Sequence, residues 1–285
     1  MRHIFLHSLL AILLSASQVS GFVLQMERFG QGRIVTLVWP LSRAQNGIPF
    51  QVDAESFPFG EAEVTRIVRE SFEAWQSVET ATIRFTDLGT GSFRSRASDG
   101  RNVIVYDSDG SEMDVPAGAS VLAFTRVNWN ASGEITDADI VFNGTGSFTF
   151  TTSGTTTRNT VDFQGVLTHE IGHFLGLNHA TLEGSASVRP TMYPFFFGGE
   201  RTLEPDDEAG VSTLYPTLSL RTGIISGRVT YPDGRGVFGA NVVAYQGGSF
   251  VVSAISGSAG TGIGPGGNGS YSISCLPPGE YQEAI

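Results

Sequence analysis

The sequence predicts an α+β fold, because segments with helical periodicity and segments with strand composition both occur along the chain. Residues 61–78 carry apolar side chains at helical spacing, at Val64, Ile67, Val68, Phe72, Trp75 and Val78. A second helix is expected from about Thr160 to Leu175, and a third from Pro205, where acidic residues suit the positive end of the helix dipole. Runs rich in β-branched residues predict strands at 33–39, 82–85, 103–106, 121–127 and 135–142, with loops at 40–60 and 144–159.

Composition and charge limit the classes of partner. The chain has 285 residues, of which 40% are apolar, and a formal net charge of -11. No run of basic residues occurs, so neither a nucleic acid nor an anionic membrane surface is an expected partner. Cys275 is the single cysteine, which rules out a disulfide within the chain, and it is interpreted as a small buried apolar residue. The oligomeric state is left open.

Residues 1–21 are interpreted as a secretory signal peptide. Arg2 and His3 precede an apolar run over residues 4–14, and small residues follow as far as Gly21. The run is shorter than a membrane span requires, and a buried N-terminal helix is the alternative. Since no other apolar stretch approaches that length, the sequence predicts a secreted protein without a transmembrane segment.

Three of the five histidines lie in the stretch HEIGHFLGLNH, which runs from His169 to His179. On a helix, His169 and His173 lie one turn apart on the same face, so their imidazoles can bind one Zn²⁺. Gly176 can adopt a positive φ and turn the chain back, so that His179 supplies a third ligand. Glu170 follows the first ligand and can reach a water beside the metal. This spacing is a metalloprotease signature, and a helix with unrelated histidines is the alternative.

The extended motif H-E-x-x-H-x-x-G-x-x-H is that of the metzincins, and the chain resembles the matrixin-like metalloproteases among them. The stretch TMYP places Met192 where that family has its Met-turn, a tight turn under the zinc site. The stretch LEPDDEAGVSTLY resembles the family's third helix, although Asp206 and Asp207 alone would indicate only an acidic helix start. SFEAWQSVETATIRF and DADIVFN resemble its first helix and the strand that leads toward the active-site helix. The resemblance covers about residues 25–216.

The resemblance implies a catalytic domain over residues 22–220, with a twisted, mostly parallel five-stranded sheet, one antiparallel edge strand and three helices. It implies one catalytic Zn²⁺ and hydrolysis of peptide bonds by a metal-activated water, with Glu170 as general base. A protein or peptide substrate would lie as an added strand along residues 120–124, in contact with Val121, Leu122 and Ala123. The pocket for the side chain after the cut bond would be walled by Pro194, Phe195 and Phe196, for which core packing is the alternative.

Further metal sites follow less directly from the sequence. The structural zinc that animal matrixins hold through histidines cannot exist in its usual form, because no histidine lies between residues 8 and 168. Calcium stays open at two stretches. NWNASGEITDAD matches part of an EF-hand spacing, although its flanking strand signals favour a hairpin turn, and the acidic loop at residues 107–114 either holds Ca²⁺ or is solvated.

Residues 221–285 resemble the start of a β-sandwich of the carboxypeptidase-regulatory-like type. The resemblance rests on GRVTYPDGRGVFGANVVAY and GSYSISCLPPGEY, and the module is expected to be incomplete. A role in spacing or surface attachment is expected for it, with no part in catalysis.

The leading hypothesis is therefore a secreted zinc-dependent endopeptidase. One alternative is a catalytically idle extracellular binding or adhesion protein that retains the metal-binding fold, and the intact Glu170 argues against it. Another is a different metzincin branch, against which TMYP and DDEAGVSTLY argue. A secondary hypothesis concerns activation: if the signal is cut after Gly21, the new ammonium of Phe22 would pair with Asp206 or Asp207, as matrixin termini do.

Overall fold

The structure is a computed structural model that describes residues 22–28, 33–95, 98–113, 120–180, 189–198, 200–217, 223–247, 249–257, 268–276 and 278–285. The predicted signal peptide and Asp114, the last residue of the acidic loop, lie outside these ranges. No helix within them is long and apolar enough to cross a lipid bilayer.

The α-helices of the described residues are α1 (Leu41–Asn46), α2 (Glu61–Gln76), α3 (Phe163–Phe174) and α4 (Pro205–Leu214). The three helices expected from the sequence are confirmed as α2, α3 and α4, and α1 is a short addition. The expected start of the second helix near Thr160 was wrong, because Thr160–Asp162 form a strand and α3 begins at Phe163. The predicted apolar face of α2 is buried. At the start of α4, the side chains of Glu204 and Asp207 form a reciprocal capping box, which holds the first turn.

Strands in the first two thirds of the chain are β1 (Val23–Leu24), β2 (Met26–Arg28), β3 (Ile34–Thr36), β4 (Ile48–Val52), β5 (Phe85–Thr90), β6 (Val103–Asp107), β7 (Ala123–Trp129), β8 (Ile135–Asn143), β9 (Thr149–Thr151), β10 (Thr160–Asp162) and β11 (Leu177–Asn178). Five of them form the main sheet in the order β5-β4-β6-β8-β7. All neighbours are parallel except β7, which pairs antiparallel with β8 at the edge. The expected mostly parallel sheet with one antiparallel edge strand is confirmed.

Strand β4 lies where the sequence predicted a loop, and this prediction was wrong. Pro49 argues against an interior strand because it cannot donate to a ladder. No ladder hydrogen bond is lost in the structure, because β6 begins to pair with β4 only at Gln51, beyond the proline. The backbone carbonyl of Pro49 instead accepts a hydrogen bond from the side-chain amide of Asn102, at 2.7 Å. The strand predicted at 82–85 is also displaced, because β5 begins at Phe85.

Helix α3 lies in the centre of the core, between α2 and β7. Its buried apolar residues include Leu167, Ile171 and Phe174. The indole Nε1 of Trp75 on α2 donates to the backbone carbonyl of Thr168, at 2.8 Å, and so fixes the two helices against each other. The helix that carries the predicted ligands is therefore held rigidly by its surroundings.

The C-terminal strands are β12 (Gly223–Arg228), β13 (Asn241–Gln246), β14 (Ser249–Ile255), β15 (Ser270–Leu276) and β16 (Gln282–Ala284). They form two small sheets, β12-β15 and β14-β13-β16. Their apolar side chains share a cluster with Ala209 of α4, and Phe22 packs against the same cluster. The C-terminal strands therefore contact the helix that carries Asp206 and Asp207.

Candidate metal centre and active-site cleft

The three predicted ligand residues converge in the structure. The ligand nitrogens of His169, His173 and His179 all lie within 4.8 Å of one another. Their ring centroids are separated by 4.9, 5.2 and 4.8 Å, so the imidazoles form a nearly regular triangle. This donor set fits Zn²⁺, which commonly takes three protein ligands and leaves a further position open in catalytic sites.

The glycine bend after α3 brings the third histidine to the other two. Gly176 has φ +99°, and a Cβ there would lie 2.2 Å from the backbone carbonyl oxygen of Leu37. Glycine is therefore required on both conformational and steric grounds. The last carbonyls of the helix are satisfied: Trp39 Nε1 donates to that of Phe174, and the Tyr215 hydroxyl to that of Leu175. The predicted end of the helix is confirmed.

Hydrogen bonds fix which ring nitrogen of two histidines faces the site. Nδ1 of His169 lies 2.6 Å from the carbonyl oxygen of Thr191, and Nδ1 of His173 lies 2.8 Å from that of Leu177. A carbonyl can only accept, so each Nδ1 carries the proton and Nε2 keeps a lone pair for a metal. Burial is the main cause that lowers the pKa of all three imidazoles. The lowered pKa favours the neutral form of the imidazole, which is the form that binds metals.

Met192, the predicted Met-turn residue, is buried and packs against the active-site helix α3. A Cβ on Gly172 of α3 would lie 2.1 Å from the Met192 sulfur, so the glycine allows the close approach. The carboxylate of Asp207 accepts hydrogen bonds from the backbone N–H groups of Thr191 and Met192, at 2.7 and 3.0 Å. Because the carbonyl of Thr191 holds His169, Asp207 supports the first ligand through one intervening turn.

Glu170 is buried beside the histidines, with 5% of its surface exposed. Burial raises the pKa of Glu170 to about 7, and a hydrogen bond from Thr125 opposes the rise. The hydroxyl of Thr125 lies 2.7 Å from Glu170 Oε2, which leaves Oε1 for other partners. Sequence reasoning missed Thr125, because a single threonine in a strand carries no signal of this contact.

A cleft of about 520 Å³ runs along edge strand β7 and opens onto Glu170, His173 and His179. Two of the predicted substrate-binding residues, Val121 and Ala123, line it, whereas Leu122 packs against the main core. Pro194, Phe195 and Phe196 do not line this cleft. Phe195 is exposed, while the ring of Phe196 lies against Gly165 at the start of α3. Their role as a pocket wall stays a prediction.

The two stretches considered for calcium are organised by contacts within the protein. Both oxygens of Asp107 accept backbone N–H groups, from Gly110 and Ser111 on one side and Glu112 and Met113 on the other. The favoured hairpin interpretation of NWNASGEITDAD agrees with the antiparallel pairing of β7 and β8. Among the described residues, no second group of three or more His, Cys, Asp or Glu side chains is gathered closely enough to hold a metal. Calcium binding stays a prediction.

A buried carboxylate beside three converging imidazoles, under an edge strand, is the arrangement of a zinc metalloendopeptidase site. Residues 42–216 match the family model of the matrixins, peptidase family M10. Since the match spans more than half of the chain, the protein belongs to the matrixin family.

Individual relatives agree with this assignment. The chain is 28% identical to stromelysin-3 of Rattus norvegicus over 179 residues, which are 56% of this chain and 31% of the relative. It is 29% identical to interstitial collagenase of Equus caballus over 155 residues, 54% of this chain and 28% of the relative. Over 62 residues it is 47% identical to metalloendoproteinase 1-MMP of Arabidopsis thaliana, covering 21% of this chain and 16% of the relative. The chain thus spans less than a third of each of these proteins.

Proposed function

We propose that the protein is a secreted zinc-dependent endopeptidase with its catalytic domain at residues 22–220. The observation that supports this most strongly is the position of Glu170, buried beside the three histidines and facing a cleft along an exposed sheet edge. A catalytically idle binding protein has no chemical need for a carboxylate held at this point.

Zn²⁺ bound by His169, His173 and His179 would supply Lewis-acid chemistry, lowering the pKa of water and polarising a carbonyl. Glu170 accepts the proton of the attacking water on Oε1, because Oε2 is engaged by Thr125. The same oxygen then returns the proton to the departing amine as the peptide C–N bond breaks.

The substrate would be held by strand addition. Strand β7 is the edge of the main sheet, so one side of its backbone is available to pair with an extended peptide. Val121, Leu122 and Ala123 at its start would hold the substrate near the cut bond. Pro194, Phe195 and Phe196 would bound the pocket for the following side chain, which favours a large apolar residue there.

The test is cleavage of a peptide library by the purified, zinc-loaded chain, with and without a chelator, read by mass spectrometry. We expect chelator-sensitive cuts with an apolar residue after the cut bond. The Glu170→Gln variant should bind zinc in the same ratio and cut at least about a thousandfold more slowly. A zinc-loaded wild type that binds peptides without cutting them would favour the idle binding protein.

Two further parts of the proposal concern the ends of the chain. We propose that residues 1–21 direct export, which expression of the full chain and mass spectrometry of the medium would test. We also propose that residues 221–285 are a β-sandwich module of the carboxypeptidase-regulatory-like type. Two small antiparallel sheets around one apolar cluster support that assignment.

A further inference from the structure

The active-site cleft continues well beyond the catalytic residues. Its floor follows β7 from Thr125, which touches Glu170, through Val127 to Trp129. Four residues of extended strand span about 13 Å, so Trp129 lies opposite roughly the third to fifth residue of a bound peptide, counted from the cut bond. Phe196 of the proposed pocket wall packs against Gly165 at the start of α3, whereas Gln25, two residues before Glu27, donates to the backbone carbonyls of His173 and Leu177 at the end of α3. The two regions lie at opposite ends of the active-site helix, so if the wall holds the side chain after the cut bond, Trp129 and Glu27 face residues before it.

The N-terminal strand pair β2-β3 lies against the turn that follows β7, at the far end of this cleft. Glu27 on β2 pairs with Val35 on β3. A Cβ on Gly133, in the turn between β7 and β8, would lie 3.0 Å from the side chain of Val35. Trp129 is the last residue of β7 before that turn. Glu27 and Trp129 are therefore brought to the same end of the cleft, and both line it.

The chemistry at this end is acidic and aromatic. Glu27 and Glu170 are the charged side chains among the described residues that line the cleft, apart from its histidines. Trp129 is 37% exposed, whereas Trp39 and Trp75 are fully buried. Arg33, the cation nearest in sequence to β3, is engaged with the backbone carbonyl of Ala131 in the turn. Among the described residues, no Arg or Lys side chain lines the groove onto which Glu27 opens.

We propose that Glu27 and Trp129 form a specificity site for a basic side chain of the substrate, about three to five residues before the cut bond. A guanidinium or ammonium there can pair with the carboxylate of Glu27 while lying against the indole face of Trp129. The inference rests on the proposed peptidase function and adds a charge preference to it. Among the described residues at this end of the cleft, no cationic side chain offers a comparable attraction for an acidic side chain.

The experiment uses the full zinc-loaded chain and quenched fluorescent peptides that differ at one position. Arginine is compared with citrulline, which has the same shape but no charge, at the third, fourth and fifth residue before the cut bond. We expect kcat/KM to be roughly three- to tenfold higher for arginine at one of these positions. The ratio should fall toward one in Glu27→Gln, and in the wild type at about 0.5 M salt, where exposed charges are screened.

The matched control is Glu134→Gln. This exposed carboxylate lies in the adjacent turn, where it accepts a hydrogen bond from Asn130, and it does not line the cleft. The Glu134→Gln variant should keep the wild-type ratio of kcat/KM for the arginine peptide to kcat/KM for the citrulline peptide. This result would show that the preference comes from contact with Glu27, and not from the overall negative charge of the protein. A ratio that persists in Glu27→Gln would overturn the assignment, and so would equal kcat/KM for both peptides in the wild type.

Peptide binding separates failure of this inference from failure of the proposed function. Affinities of the same peptides for Glu170→Gln protein are measured by fluorescence polarisation. An arginine preference in binding, with no cleavage by the wild type, would support the specificity site and contradict the peptidase. Cleavage without any arginine preference would support the peptidase and contradict the specificity site.

Discussion

The hydroxyl of Thr125 donates to Oε2 of Glu170 at 2.7 Å and thereby ties the edge strand of the sheet to the active-site helix. The substrate would pair with that strand, and the proton would be held on the neighbouring oxygen of that carboxylate. One hydrogen bond thus sets the position of the base relative to the peptide it acts on. It also restrains a buried carboxylate that has no other side-chain partner among the described residues.

Thr125→Val keeps the branched shape of the side chain and removes the donor. We expect kcat/KM to fall about 10- to 100-fold, as for other residues that orient a catalytic group through a hydrogen bond. Zinc content should not change, because the hydrogen bonds of the Thr125 side chain go to Glu170, which is not a ligand. Thr125→Ser restores the hydroxyl and should recover most of the activity. If the valine variant cuts peptides as fast as the wild type, Thr125 does not position Glu170.

Gly176→Ala tests the bend that brings His179 to the metal. The added Cβ would meet the carbonyl of Leu37, and alanine is strained at φ +99°. We expect the free energy of unfolding to fall by about 1–3 kcal/mol, measured by urea denaturation of the zinc-loaded protein. Zinc affinity should fall as well, since the third ligand is displaced.

Gly234→Ala is the control for this substitution. Gly234 also has a positive φ, at +84°, but a Cβ there meets nothing within 4 Å. It should cost stability through backbone strain without changing zinc affinity. Equal zinc affinities for Gly176→Ala and the wild type would contradict the role given to the bend.

The zinc helix could be predicted because its signal is local. Two ligands one turn apart and a glycine three residues later determine the geometry whatever the rest of the chain does. Thr125 could not be found in this way, since it lies 45 residues from Glu170 in sequence. Strand β4 was missed because the start of its neighbour β6, a tertiary feature, decides whether Pro49 is tolerated.

The sequence also could not predict that the C-terminal strands pack on α4. Alternating apolar residues predict strands in residues 221–285, but they do not indicate which surface those strands cover. In the structure, Ala209 of α4 is part of their apolar cluster. The expected role as a spacer gave no reason to look for this contact.

Asp207→Asn tests the support that α4 gives to the Met-turn. The carboxylate accepts three backbone N–H groups, those of Thr191, Met192 and Glu204, and an amide cannot accept all of them. We expect a loss of about 1–3 kcal/mol in the free energy of unfolding. Zinc affinity, measured by competition with a chromophoric chelator, should fall about 10- to 100-fold, because Thr191 orients His169.

Glu208→Gln is the control for this change. Glu208 is the next residue on α4 and is exposed at the surface, so the substitution should leave zinc affinity near its wild-type value. It also removes a charge that Glu204 and Glu79 repel, so the free energy of unfolding should not fall. An Asp207→Asn protein that is destabilised but binds zinc normally would show that Asp207 supports the fold without supporting the ligand.

Asp206→Asn should change how stability depends on pH. Asp206 is fully buried, and the backbone N–H groups of Phe22 and Ser253 face its carboxylate without forming short, well-aligned hydrogen bonds. Burial, followed by repulsion from Asp207, raises the pKa of Asp206 well above its ordinary value, while the facing N–H groups of Phe22 and Ser253 lower it somewhat. The folded state therefore holds this proton more tightly than the unfolded state does. The stability this contributes is present below about pH 4 and is lost as pH rises through the folded pKa.

Asparagine does not titrate, so the Asp206→Asn variant of the full chain does not lose this stability as pH rises. Its free energy of unfolding should therefore exceed that of the wild-type full chain by an amount that grows from pH 5 to pH 8, to on the order of 1–3 kcal/mol. Urea denaturation of both proteins across this range measures the difference. The effect of Asp206→Asn on the free energy of unfolding should have the opposite sign in a chain that begins at Phe22, because the α-ammonium of Phe22 would then face the carboxylate. There, Asp206→Asn should cost roughly 3 kcal/mol, the penalty for removing one partner of a buried ion pair. Equal effects in the two chains would show that the Phe22 terminus does not pair with Asp206.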